Sequence, residues 1–96
     1  MKDIYIIGCG GFAREVYFLI KQIGGYKVKA FVDTVVRVDL IIDDKMIPII
    51  SEKKLLEKNF TVKPYLAIGI GDPKIIQQIS KNIKVIKKYF KVKYNV

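Results

Sequence analysis

The run Gly8-Cys9-Gly10-Gly11-Phe12-Ala13 fits the pattern G-x-G-x-x-G/A, a spacing whose chemistry is the holding of phosphate. Gly8 permits a tight turn. Gly10 lets backbone N–H groups approach an anion with no Cβ in the way, and Ala13 is small enough for a helix to pack closely on a strand. A helix opening after such a turn adds unpaired N–H groups and a partial positive charge, worth about 0.3–1 kcal/mol to an anion. Asp33 lies 20 positions beyond Ala13, where dinucleotide folds place an acid for a ribose hydroxyl. A second glycine loop, Gly69-Ile70-Gly71-Asp72, follows another apolar run. Read blandly, the first loop is a packing turn and Asp33 a surface acid.

Other chemistries are excluded by composition. The chain has no histidine and a single cysteine, which rules out Ser-His or Cys-His nucleophilic catalysis and a structural zinc site. Cys9 occupies the x of G-x-G, a slot for any small residue, and is not expected to act as a nucleophile. The residues look suited to binding and poorly suited to reaction.

The elements that must position these residues alternate along the chain. Residues 3–8 are almost continuously apolar, as in a strand buried on both faces of a parallel sheet. Phe12, Val16, Leu19, Ile20 and Ile23 then recur at helical steps, predicting an amphipathic helix over 11–23 that Gly24-Gly25 ends. Residues 27–33 read as a second strand closing on Asp33. The stretch 34–50 is less legible. Asp43-Asp44-Lys45 suggests a turn and 46–50 a short edge segment, since Pro48 argues against a central strand.

Ser51 predicts the N-cap of a short helix running to about Lys58, and residues 64–70 form a third strand. Asp72 before Pro73 caps a helix over 73–83, and Tyr89 to Val96 alternates like a final edge strand. The expected fold is α/β: a small Rossmann-like open, mainly parallel sheet flanked by helices. Ligands of such sheets sit beyond the carboxyl ends of the strands, so Gly8, Asp33 and Gly69 to Asp72 should share one crevice.

The 96 residues suffice for one domain, spanning 1–96. Net charge is +9, unevenly placed: residues 1–72 carry 11 Lys/Arg and all 9 acids, while residues 73–96 carry 7 lysines and no acid. Only 2 of the 18 basic residues are Arg, which argues against a nucleic-acid partner and for a solvated lysine face. One cysteine and an N-terminus without a cleavage motif point to a cytoplasmic protein. No apolar run approaches the roughly 18–20 residues of a membrane helix.

The segments IYIIGCGGFAREV, FVD, Ile47-Pro48-Ile49 and AIGIGDPKI resemble the N-terminal domain of bacterial sugar O-acyltransferases. That family includes sialic-acid O-acetyltransferases and the UDP-4-amino-sugar N-acetyltransferases of bacillosamine synthesis. The resemblance spans essentially the whole chain, and the doubled glycine followed by Phe12-Ala13-Arg14-Glu15-Val16 is its most specific part. It implies a domain that binds a UDP-linked sugar, with Gly8, Cys9, Gly10, Gly11 and Phe12 at the phosphates. Asp33 and Thr34 would lie near the nucleoside or sugar, and Gly69, Ile70, Gly71 and Asp72 would complete the wall.

The resemblance also implies a C-terminal left-handed β-helix that binds acetyl-CoA, forms a homotrimer and supplies a catalytic histidine. No cofactor is then expected on these residues, and no acyl transfer from this chain alone. The sequence departs from the family pattern at Ile76, where relatives commonly carry arginine, and at Thr34, where they often carry a second acid. Two other functions stay open on the residues alone: a small Rossmann module for NAD or FAD, and a non-catalytic assembly domain.

Overall fold

The computed structural model describes residues 1–33, 39–58, 60, 62–69 and 91–93. In chain order these form β1 (Lys2–Ile7), α1 (Gly11–Ile23), β2 (Tyr26–Val32), β3 (Leu40–Ile42), β4 (Lys45–Ile47), β5 (Ile49–Ile50), α2 (Glu52–Glu57), β6 (Tyr65–Ile68) and β7 (Lys91–Lys93). Five strands make one sheet in the order β5-β2-β1-β6-β7. Every neighbouring pair in it is parallel, as the alternation of strands and helices predicts. The helix expected over 73–83 lies outside the described residues. Among those described, no helix is long and apolar enough to cross a membrane.

The continuous apolar runs follow from burial on both faces. Successive side chains of a strand point to opposite sides. Ile4 and Ile6 of β1 therefore join Phe31 and Ala67 beneath α1, which contributes Ala13, Val16, Tyr17 and Ile20. Tyr5 and Ile7 point the other way, with Ala30, Val32 and Leu66, and are covered by Leu55 of α2. Each fully buried Ile or Phe contributes roughly 1.5–3 kcal/mol. A register shift between Ile4 and Tyr5 opposes two residues of β1 to three of β2, leaving Lys29 unmatched.

Glycine and serine set the helix ends. Gly24 and Gly25 take φ of 76° and 84°, the left-handed region in which L side chains are strained. The Ser51 hydroxyl accepts a hydrogen bond from the Lys54 N–H at 3.1 Å, capping α2 as expected.

The segment expected as one edge piece over 46–50 is divided in two at Pro48. Before it, β4 pairs antiparallel with β3 as a hairpin whose turn residues Asp43 and Asp44 have φ of 54° and 57°. That is the conformation of a two-residue turn matched to strand twist. After it, β5 joins β2 at the sheet edge. Ile42 and Ile47 fold the hairpin onto the α1 side of the core, and Asp43 pairs with Lys21 of α1.

One close approach locks α1 to the sheet. A Cβ added to Gly69 would lie 2.8 Å from Ile6 Cγ2, 2.9 Å from Ala13 Cα and 3.0 Å from Ala13 Cβ. Since the Ala13 backbone cannot rotate away, Gly69→Ala should destabilise the fold by about 1–3 kcal/mol in urea unfolding. A pH effect follows from Tyr5. Burial, and secondarily the Asp3 carboxylate, raise its phenol above the ordinary 10.0. The native chain therefore holds that proton longer than the unfolded one. The contribution is complete below about pH 10 and is lost as pH rises through the native value. Urea midpoints measured across this range should fall with pH, and Tyr5→Phe should reduce the slope.

Candidate functional site

The strand order places β2 on one side of β1 and β6 on the other, so the connections leave β1 and β6 in opposite directions. Open α/β sheets bind ligands beyond the carboxyl ends of their strands at such a switch point. Three backbone bonds carry the sheet one residue past its strands. Gly8 N–H donates to Val32 O at 2.6 Å, Gly69 N–H to Ile7 O at 2.8 Å, and Asp33 N–H to Ile50 O at 3.0 Å. Gly8, Asp33 and Gly69 are thereby held side by side at one edge.

Gly8 turns the chain out of β1 with φ of 100°, a conformation in which a side chain is strained. Cys9 follows, half-buried, and its thiol donates to Asp33 Oδ2 at 2.7 Å. This contact joins the loop after β1 to the acid after β2, bringing together two residues 24 apart in sequence. Sequence spacing alone offered no sign of it.

Gly10 then caps α1 with no side-chain hydrogen bond, and no acid stands in the first turn. The first helical bond runs from Arg14 N–H to Gly10 O. The N–H groups of Gly11, Phe12 and Ala13 precede it and have no acceptor within the helix. Phe12 is 39% exposed beside them. The arrangement offers donors and a dipole to an anion at the helix end, and a carboxylate acceptor for hydroxyls at Asp33.

The glycines now separate by cause. Gly8 is required by its φ, and Gly69 by its packing on Ala13 and Ile6. Gly69 was expected as part of a ligand wall, and its lack of a side chain has this packing explanation. Gly10 and Gly11 have neither cause: their φ values are not positive, and among the described residues a Cβ on either would meet nothing within 4 Å. Both face open solvent. Of the other expected site residues, Thr34, Ile70, Gly71 and Asp72 lie outside the described residues. A cavity of about 480 Å³ lies away from these strand ends, between α1, β2 and the hairpin. Among the described residues no group of His, Cys, Asp or Glu could hold a metal ion.

A protein-family model described as the PglD N-terminal domain matches residues 3–83. No curated protein and no solved structure matches the chain. The matched span runs from β1 past Gly69, and so covers the whole strand-end constellation. Because nothing among the described residues needs glycine at 10 or 11, Gly10→Ala and Gly11→Ala should leave thermal unfolding unchanged or raise stability by up to about 1 kcal/mol. A loss of folding in either variant would show a packing role for that position.

Proposed function

The chain belongs to the PglD N-terminal domain family, and from that premise we propose that it holds a UDP-linked amino-sugar as the substrate domain of a sugar acetyltransferase. The observation that carries this reading is the pair Gly10 and Gly11, glycine with no conformational or packing cause among the described residues, at the mouth of a helix whose cap makes no side-chain hydrogen bond. A ligand backbone approaching that surface supplies the missing cause. The diphosphate lies against the N–H groups of Gly11, Phe12 and Ala13, where donors and helix dipole act together.

Asp33 accepts hydrogen bonds from hydroxyls of the ribose or sugar, while the Cys9 thiol holds its Oδ2 in place. Thr34, Ile70, Gly71 and Asp72 complete the wall in this reading. The chain contains no histidine, so it binds and orients the sugar without transferring an acyl group. Acetyl-CoA, the catalytic base and the trimer contacts fall to a β-helical domain, with the cytoplasm as the compartment.

Calorimetric titration with UDP, UDP-N-acetylglucosamine, a UDP-4-amino-sugar and NAD tests the reading. Heat is expected with the UDP compounds and strongest with the amino-sugar. Gly10→Ala should weaken binding about tenfold or more, equivalent to about 1.4 kcal/mol, with stability retained. Heat from NAD and none from any UDP compound would overturn it in favour of a dinucleotide module.

A further inference from the structure

At Pro48 the chain leaves β2 and opens a fork. On that side β2 pairs, among the described residues, only at Phe31 and Val32, both with β5. The last rung is Phe31 N–H to Pro48 O at 2.9 Å. Beyond it β4 turns away to pair with β3, and the cavity of about 480 Å³ fills the gap between β2 and β4. Its floor is apolar, made by Tyr17 and Ile20 of α1 with Val28 and Ile47. Its rim is basic, with Lys27, Lys29 and Lys45 lining it. Lys21 also lines it but is paired with Asp43. Among the described residues Lys27, Lys29 and Lys45 form no ion pair.

The edge is presented for strand pairing. Lys2 N–H donates to Gly25 O, so the alternation of a strand turns the main chain of Lys27 toward β1 and that of Val28 toward the fork. No backbone bond connects Val28 to β4. From Lys27 to the first rung at Phe31 this edge is about 13 Å long at roughly 3.3 Å per residue, room for about four residues of extended chain.

We propose that this fork docks an extended, acidic segment of a partner protein, which adds as a strand along β2. Main-chain bonds to Val28 give the affinity, as in other strand additions. Alternate apolar side chains settle on Tyr17, Ile20 and Ile47, while the acidic ones meet the three unpaired lysines. Charge selects this occupant over a second copy of the chain. Edge-to-edge pairing of two copies sets Lys27 and Lys29 against the same lysines, a repulsion that edge lysines commonly provide. A polyanion such as nucleic acid matches the charge but cannot form a strand ladder. The site is distinct from the strand-end glycines, so it stands or falls independently of the sugar reading.

The test is an amide-resolved NMR titration of the full chain with a blocked alternating Glu-Val hexapeptide, its Lys-Val counterpart and a single-stranded oligonucleotide. The Glu-Val peptide should shift Val28, Lys29 and Met46 and slow hydrogen exchange at Val28. The strand-end amides Gly10 and Gly11 should not move. The double variant Lys29→Glu/Lys45→Glu changes only exposed side chains, and should weaken that peptide about tenfold or more. Equal binding of the Lys-Val peptide, no response at Val28, or oligonucleotide binding that matches the Glu-Val peptide would overturn the proposal. So would concentration-dependent dimerisation through the same amides.

Discussion

Everything at the carboxyl edge of the sheet depends on how closely α1 approaches the end of β6. Gly69 lies so near Ala13 and Ile6 that a methyl group has no room. The contact brings the first turn of α1 down onto the switch point between β1 and β6. Its energy is modest, because van der Waals gains between a few atoms are small. Its geometric consequence is larger, since the direction of the helix N–H groups follows from it. Ala13 and Gly69 are a matched pair: enlarging either one lifts the helix away from the strand ends.

From that fixed helix end the rest of the site assembles by short links. Gly8 supplies the one left-handed turn that connects β1 to α1. The Cys9 thiol reaches across to the Asp33 carboxylate, so the loop after β1 and the acid after β2 are tied together. Two polar functions are presented at this edge: donors on the helix end, an acceptor at the end of β2. An anion bound beside Asp33 itself would meet repulsion, whereas a sugar or ribose hydroxyl would not. The proposed nucleotide-sugar is anionic in its middle and rich in hydroxyls beside it.

Much of the fold was legible because local signals agreed with one another. The α1 bounds follow from the apolar spacing between the Gly10-Gly11 opening and the Gly24-Gly25 close, and the structure gives 11–23 for both. Ser51 announces α2 through its cap. The hairpin was harder to read. LIIDDKMIPII offers apolar residues on both sides of an acidic turn, and no alternation says which strand each joins. Burial of Ile42 and Ile47 against α1, with Ile41 and Met46 left exposed, decides the register. Those contacts are long-range, and a one-residue slip in the sequence pattern would look equally good.

By itself, then, the sequence determined a parallel α/β sheet, the glycine loop after its first strand, the acid after its second, and the absence of histidine chemistry. These are matters of residue type and short-range period, which a chain carries whatever it packs against. Only the tertiary structure separated these glycines by cause. Gly8 and Gly69 are required by a torsion angle and by a neighbour distant in sequence, whereas Gly10 and Gly11 are required by nothing in the described fold. It alone set Cys9 on Asp33 and opened the lysine-rimmed fork beside β2. Such features depend on distances between segments remote along the chain, and those distances exist only once the sheet has formed.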